Sequence, residues 1–247
     1  MTWNEAFPYT FKNLRKKFNI PEPSKTDMVD DCRADDSDFC LEVVEKSLLT
    51  EEQMHHAASR YQLGKSRSGK TIYWMIDDLG TCRDGHIGSD SHAADTWVFT
   101  LLKNRFPELA QYIPPSEHCL FGLHLLREVG GVAIVEKESS AVILSELYPQ
   151  SLWLATAYPA NLSERLLAPL QGHPVMMFPP TDETMDTYLS WLEVADQARR
   201  KYHLDITVSS LLEDHATPDQ KQRCIDLLDY WMESLRLSPE KSYTSAF

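Results

Sequence analysis

The sequence predicts an α/β fold in which helices flank a parallel sheet, preceded by an α+β region that contains a β-hairpin. The main observation is that short apolar segments alternate with helical patterns. The apolar segments are residues 131–135, 151–156 and 174–178, and the helical patterns are residues 139–147 and 163–170. Strands that alternate with helices over short connections are typical of a parallel sheet with crossover helices. Gly172 follows the second helical pattern as a stop signal.

A second observation predicts the hairpin. Residues 71–77 are rich in β-branched and aromatic side chains, as β-strands are. The chain then turns at residues 78–80, which end in a glycine, and returns through residues 81–87. Two such runs joined by a short glycine-containing turn indicate an antiparallel hairpin.

The segment before the hairpin carries an acidic stretch and one clear helix. Residues 1–24 are typical of a short helix followed by a proline-rich connector. Residues 27–38 contain six aspartates, without the glycine and terminal glutamate of an EF-hand calcium loop. We interpret them as a mobile acidic linker, with calcium binding as the alternative. Thr50 and Gln53 form a capping box and open a helix that extends to about Tyr61.

The rest of the chain adds further helices. Helical patterns occupy residues 96–106, 120–129 and 184–202, a short apolar run occupies residues 206–212, and a last helix opens at Pro218. The predicted parts are an N-terminal helix with the acidic linker (1–49), the α+β hairpin region (50–115), the α/β domain (116–238) and a flexible tail (239–247).

Composition limits the class of protein. The chain has 247 residues, of which 43% are hydrophobic, so it can build a sizeable core. No apolar stretch is long enough to cross a bilayer, and the N-terminus lacks the pattern of a signal peptide. The five cysteines are scattered without a CxxC pair, and the nine histidines form no zinc-binding pattern. We therefore expect a cytoplasmic protein without zinc or disulfide bonds.

The net charge of −13 argues against nucleic-acid binding through a general positive field, because such binding depends on Lys and Arg beside phosphates. Any nucleic-acid contact is then weak or local. Lys65, Arg67 and Lys70 form one local basic loop, and they are the candidate phosphate contacts. Solubility is the alternative explanation of the acidity.

The same loop matches the P-loop pattern GxxxxGK[ST] from Gly64 to Thr71. A P-loop follows a strand and opens a helix, whose N-terminus then faces the phosphates. Here a helical pattern precedes the loop and a strand pattern follows it. We therefore interpret the segment as a basic loop that enters the hairpin, and not as an ATP site.

Carboxylates follow two of the predicted parallel strands. Glu136 and Glu138 come directly after the first strand, and Asp182 and Glu183 come shortly after the third. Because the carboxyl ends of parallel strands meet at one edge, where ligands bind, we expect these acids to lie together. Acids held together need a cation or a proton, and magnesium prefers oxygen ligands. These four residues are therefore the predicted magnesium ligands, with Glu136 and Asp182 as the catalytic residues.

Each acid also has a purely structural interpretation. Glu136 would be a solvated residue at a strand end, and Glu138 would complement the dipole of the helix that it opens. Asp182 and Glu183 would cap and precede the helix that follows them. The residue pattern leaves both interpretations open.

From about residue 61 to residue 232 the chain resembles Toprim-like proteins, relatives of the catalytic domain of bacterial DNA primases that mobile genetic elements carry. The resemblance rests on a succession of short blocks. The blocks are YWMID (73–77), RDG (83–85), WVFTLLK (97–103), CLFGLHLL (119–126), VAIVE (132–136), WLAT (153–156) and VMMFP (175–179).

The resemblance implies a small parallel Toprim sheet between helices. In Toprim enzymes, a glutamate at a strand end and a downstream pair of aspartates manage magnesium during phosphoryl transfer. Glu136 falls on that glutamate, and Asp182 is the nearest match to the aspartates.

The chain departs from the family pattern at several of its functional positions. Ser139 stands in place of a lysine after the second glutamate, and Ala157-Tyr158 stands in place of a Gly-Gly pair. Pro180 stands where an aspartate often follows Phe-Pro. The zinc ribbon that relatives often carry is not found here. We expect these changes together to weaken catalysis.

The leading hypothesis is therefore a degenerate Toprim-like protein of mobile-element DNA replication, accessory in role and with weak or no catalysis. Its partner would be a replication protein or a DNA end, and no membrane is expected. One alternative is an active magnesium-dependent phosphoryl-transfer enzyme of the primase or nuclease kind. Another is an acidic module that binds proteins or mimics DNA.

Overall fold

The computed structural model describes residues 27–88, 96–105, 107, 118–128, 130–157 and 162–237. The helix expected within residues 1–24 and the tail expected after residue 238 lie outside the described residues. The division into four parts stays a prediction.

Three helices open the described chain: α1 (Asp27–Cys32), α2 (Asp38–Glu45) and α3 (Glu51–Arg60). Much of the stretch expected to be a mobile acidic linker is helical, because Val29 and Cys32 between its aspartates, and Cys40 just after them, are buried in the core. The capping box of α3 is confirmed. The Thr50 side chain accepts from the backbone N–H of Gln53, and the Gln53 side chain accepts from that of Thr50 at 2.9 Å.

The predicted hairpin is confirmed and lies at the centre of an antiparallel sheet. The strands are β1 (Gly64–Lys65), β2 (Thr71–Ile76), β3 (Cys82–Ile87) and β4 (Thr96–Trp97), in that spatial order. Every residue of β2 is buried. Gly85 pairs with Trp74, whose ring lies 2.7 Å from where a Cβ on Gly85 would stand, so the close approach requires glycine.

Among the described residues, two helical segments lie in the connection between the two sheets. They are α4 (Val98–Arg105) and a 3₁₀ helix (Leu123–Glu128). The sequence predicted a helix from residue 96, and the first two residues of that segment instead pair with β3 as strand β4. Within the helical pattern of residues 120–129, the described part forms the 3₁₀ helix Leu123–Glu128, preceded by Gly122 with φ 82°.

The predicted α/β fold with a parallel sheet flanked by helices is confirmed. The strands are β5 (Val132–Val135), β6 (Leu152–Ala155), β7 (Val175–Met177) and β8 (Ile206–Val208). Their order is β6-β5-β7-β8, and all neighbours are parallel. Strand β8 was expected only as a short apolar run, because three residues are too few to display a strand period.

The helices of this half are α5 (Glu138–Leu147), α6 (Glu164–Leu167), a 3₁₀ turn (Ala168–Leu170) and α7 (Asp186–Tyr202). Helix α5 packs against β5 and β6, and α7 packs against β8. Helix α7 buries Trp191, Ala195 and Ala198, which recur at the spacing of one helix face.

Three short helices end the described chain: α8 (Leu211–His215), α9 (Pro218–Gln222) and α10 (Leu227–Leu237). A single helix was expected from Pro218. The chain instead breaks after α9, where Cys224 has φ 51°, and α10 starts again after Asp226. Helix α10 packs against α5.

The main core joins α2 and α3 to the parallel sheet. Tyr61 at the end of α3 stacks on Phe121, and its hydroxyl donates a hydrogen bond to the backbone oxygen of Trp153 at 2.8 Å. The N-terminal helices are thereby attached to β6. No described helix has the length and apolar character needed to cross a membrane.

Candidate functional site at the carboxyl edge of the parallel sheet

Glu136 follows β5 directly, at the sheet edge where the strand ends meet. Strand β5 is the neighbour of both β6 and β7, and all three run in the same direction. The Glu136 side chain is half-buried, and its backbone oxygen accepts a hydrogen bond from Ala157 at 3.0 Å. Glu136 therefore lies at the edge where open α/β sheets bind ligands.

Ala157 occupies a backbone conformation that favours glycine. Its φ is 71°, in the left-handed region, where a Cβ costs about 1 kcal/mol or more. The Toprim-like pattern that the sequence resembles has Gly-Gly in place of Ala157-Tyr158. The backbone bend after β6 is thus present here without the residue that adopts it most easily.

The loop directly after β7 is buried and contains no acid between Phe178 and Thr181. Phe178, Pro179, Pro180 and Thr181 are all buried. The backbone N–H of Thr181 donates to the oxygen of Ile225 at 3.0 Å, from the chain between α9 and α10. The chain between α9 and α10 thus lies directly against this loop.

Asp182 is engaged by the start of α7. Its carboxylate accepts backbone hydrogen bonds from Thr184 (2.8 Å), Asp186 (3.2 Å) and Thr187 (2.8 Å). Burial alone would raise the pKa of Asp182, but the hydrogen bonds from Thr187 and Thr184 outweigh it and lower the pKa below its usual range. The geometry matches the capping interpretation of Asp182. Glu183 beside it is exposed.

Glu138, the first residue of α5, is buried and contacts the antiparallel sheet. Its Oε1 lies 2.6 Å from Nδ1 of His86 on β3, and both side chains are less than a tenth exposed. The carboxylate of Glu138 therefore has a partner in the other sheet, two residues after Glu136.

His86 belongs to a small polar and aromatic cluster between the two sheets, which sequence reasoning assigned no role. Its ring lies 5.1 Å from that of Trp97, and Trp97 stacks on His118 at 3.7 Å. His118 in turn lies 3.3 Å from the fully buried carboxylate of Asp84. Isolated histidines without a ligand spacing carry no sequence signal for such a cluster.

Lys137 lies between the two glutamates and faces the start of α10. Its Nζ is 3.4 Å from Asp226 and 3.1 Å from Asp229, while Ser140 donates to Asp226 at 2.6 Å. Burial raises the pKa of Asp226, with Asp229 adding to the effect and Lys137 opposing it. Burial acts to lower the pKa of Lys137, but the two aspartates outweigh it and raise that pKa, so Lys137 is charged at neutral pH.

The described acids do not fit a ready magnesium site. A tightly bound magnesium ion needs near-octahedral oxygen ligands. Of the four predicted ligands, Glu138 is directed to His86 and Asp182 to the start of α7. Within the described ranges, no group of three or more His, Cys, Asp or Glu side chains is placed to hold a metal ion.

The basic loop lies against the acidic segment that precedes α2. Lys65 pairs with Asp36, and Lys70 lies 3.2 Å from Asp38. The backbone N–H of Asp38 also donates to Gly69 at 2.8 Å. Strand β2 follows the loop directly, so the segment that matches the P-loop pattern lacks the helix that follows the loop in a true P-loop. The charges of the two lysines are largely compensated within the chain.

A groove of about 610 Å³ lies between α2 and α3. Its apolar part includes Leu41, which is 59% exposed, and the fully buried Met54. Acidic side chains stand among its lining residues, which are Asp35, Cys40, Leu41, Val44, Glu45, Glu51, Met54 and His55. The size is that of a small-molecule or side-chain pocket.

A model of a family described as a domain of unknown function, DUF6371, matches residues 41–181 of the chain. No curated protein matches it.

Several solved structures are similar at low identity. The primase fragment of the bacteriophage T7 primase-helicase protein is 12% identical, with 72% of this chain and 66% of that chain covered and a TM-score of 0.46. The DnaG primase catalytic domain bound to ssDNA is 12% identical (94% and 84% covered, TM-score 0.47). The zinc-binding and RNA polymerase domains of Aquifex aeolicus primase are 13% identical (81% and 53% covered, TM-score 0.38). This chain thus spans slightly less than two thirds of the T7 fragment.

Proposed function

This chain belongs to the family described as a domain of unknown function (DUF6371), and we propose that it is a Toprim-like, primase-related accessory protein of mobile-element DNA replication. In this proposal it has little or no catalysis of its own. It works in the cytoplasm, in keeping with its five free cysteines, and binds a replication protein or a DNA end.

The observation that carries the proposal is the difference between the ends of β5 and β7. Strand β5 is followed directly by Glu136, whose carboxylate is half-buried. Strand β7 is followed by Phe178, Pro179, Pro180 and Thr181, which are buried and offer no carboxylate. The parallel architecture and the order of the sequence blocks support the relation to primases. The missing acid supports the loss of catalysis.

The energetic reason lies in the requirements of phosphoryl transfer. Metal ions in such sites clamp the attacking and leaving oxygens, and they must be held in a fixed geometry to do so. Magnesium in such sites needs near-octahedral oxygen ligands, and of the four predicted ligands Glu138 is directed to His86 and Asp182 to the start of α7. A protein that retains the sheet but not the ligand set is better suited to binding than to turnover.

The charge distribution favours a protein partner over nonspecific binding along a nucleic-acid strand. The net charge of −13 opposes nonspecific phosphate binding, and Lys65 and Lys70 already face aspartates. Contact of Lys65, Arg67 and Lys70 with a DNA end would be local and salt-sensitive. The groove with acidic lining between α2 and α3 favours the second candidate function, an acidic protein-binding module.

Primer synthesis and strand nicking, measured with magnesium and with manganese, test the proposal. We expect no turnover above background in the wild type or in Glu136→Gln. Robust turnover that disappears in Glu136→Gln would overturn the accessory role and establish the magnesium-dependent enzyme instead. Gel shifts with single-stranded DNA at low salt separate the two binding candidates, because an acidic protein-binding module would give none.

A further inference from the structure

The sheet edge contains an ion pair that joins the chain after β5 to the start of α10. Lys137 provides the cation, and its Nζ lies 3.1 Å from Asp229 and 3.4 Å from Asp226. The Asp226 side chain is only 1% exposed, whereas that of Lys137 is 44% exposed. A nearly inaccessible carboxylate therefore faces an ammonium group that retains access to water.

The remaining hydrogen bonds of Asp226 are with neutral groups. Ser140 donates to its Oδ2 at 2.6 Å, and the backbone N–H of Asp229 donates to its Oδ1 at 2.9 Å. In return, Asp229 accepts from the backbone N–H of Asp226 at 3.3 Å, so the two aspartates cap the start of α10. A buried carboxylate also needs a counter-charge, because desolvation penalises an isolated ion heavily.

We propose that Lys137 is the resident cation of this sheet edge: its ammonium group compensates the buried carboxylate of Asp226 and attaches the C-terminal segment to the chain that follows β5. Under the proposed function, on which this assignment rests, the edge works without a divalent cation.

The C-terminal segment, defined here as residues 210–229, is attached at more than one point. Besides the Lys137 pair, Ile225 accepts from the backbone of Thr181 after β7. The Thr181 hydroxyl donates to Glu213 of α8 at 2.8 Å, and Glu213 pairs with Lys221 of α9 at 2.8 Å. The C-terminal segment is thus attached by Lys137 near the end of β5 and by Thr181 near the end of β7.

Thermal unfolding of the full chain tests the assignment. Lys137→Met keeps most of the apolar side chain and removes only the charge, and Lys137→Met/Asp226→Asn removes both charges. Lys46→Met is the matched control, because Lys46 pairs with Glu42 on the exposed face of α2. We expect Lys137→Met to lower the melting temperature by about 5 °C, since it strands a buried carboxylate. We expect the double variant to recover part of that loss and the control to stay within about 1 °C of the wild type.

The same variants are then melted with millimolar magnesium or manganese. The wild type should not respond, whereas Lys137→Met should gain stability, because a divalent cation can now occupy the vacated position beside Asp226 and Asp229. Equal responses of the two proteins would overturn the assignment, and so would a wild type that responds more strongly. If Lys137→Met does not fold, the double variant decides: a folded double variant supports the resident cation, and an unfolded one overturns it.

These measurements do not depend on turnover, so the Lys137 assignment and the proposed function can be rejected independently of each other. A wild type that synthesises primers with magnesium would remove the accessory role whatever the melting temperatures are. A wild type without turnover, in which Lys137→Met melts like Lys46→Met, would leave the accessory role standing and remove Lys137 as the resident cation.

Discussion

The imidazole of His86 on β3 lies 2.6 Å from the carboxylate of Glu138 at the start of α5. The contact joins the antiparallel sheet to the first helix after β5. Both side chains are more than nine-tenths buried, and each provides the other with a polar partner in the protein interior, where an unpaired polar group would be destabilising. The pair thereby fixes the position of the α5 N-terminus, which directly follows Glu136.

Removing one member of this pair should destabilise the protein. His86→Ala is expected to lower the free energy of unfolding by about 2–4 kcal/mol, because it leaves the buried Glu138 without a partner and opens a cavity. Urea denaturation monitored by tryptophan fluorescence measures the change. His55→Ala is the control, since His55 pairs with Asp35 at the exposed surface, and we expect less than about 0.5 kcal/mol there. Equal losses in the two variants would contradict a role for burial.

Ala157→Gly should stabilise the protein by about 0.5–1 kcal/mol. Glycine adopts the φ of 71° without the steric cost of a Cβ, and this gain exceeds the added flexibility of the unfolded chain. The free energy of unfolding in urea is the measurement. Ala155→Gly, two residues earlier within β6, is the control and should instead destabilise by about 1 kcal/mol. A loss of stability in Ala157→Gly would show that the left-handed backbone is not strained.

Asp182→Ala should destabilise at neutral pH and much less in acid. At pH 7 the expected loss is about 1 kcal/mol, because the first amides of α7 lose their acceptor. The folded pKa of Asp182 lies below its unfolded value near 3.9, so its stabilisation is complete above about pH 4 and is lost as the pH falls through the folded pKa. Urea midpoints from pH 7 to about pH 2 follow the difference. Glu183→Ala is the exposed neighbour control, and a pH-independent loss in Asp182→Ala would contradict the ionic contribution.

Neutralising the acids beside the basic loop should increase binding to single-stranded DNA. In Asp36→Asn/Asp38→Asn, Lys65 and Lys70 lose their aspartate partners, and the salt dependence of binding should become steeper. Fluorescence anisotropy at several salt concentrations measures both effects.

Glu51→Gln/Glu52→Gln is the matched control for this prediction. It also removes two negative charges, but from the first turn of α3 and not from the aspartate partners of Lys65 and Lys70. If both double variants bind DNA equally, net charge explains the gain and the loop has no specific role.

The fold was largely predictable because its signals are local. The three apolar strands of the parallel sheet and the hairpin are continuous in sequence, and the Thr50 capping box lies within four residues. Strand β8 and the helices within the acidic segment were missed for the opposite reason. These elements have few apolar residues, and their structure depends on the burial of residues such as Val29 and Ile206 in a core that distant residues build.

The candidate site depended on contacts that no spacing in the sequence reveals. A dipeptide such as Asp182-Glu183 is compatible with a metal ligand and with a helix cap, and the choice depends on where the α7 amides point. The pattern Asp226-Leu-Leu-Asp229 before an apolar run was a readable helix-start signal. The pairing of Asp226 with Lys137 could not be predicted from the sequence, since these two residues are 89 positions apart.

The sequence by itself determined the alternation of strands and helices and the strand-end position of Glu136, because hydrophobic periodicity and residue identity are properties of neighbouring positions. Only the tertiary structure decided what the acids face: Glu138 meets His86, Asp182 meets the start of α7, and Lys137 meets Asp226. Long-range packing brings charges together across the chain, and the cost of burying each charge determines which pairs form.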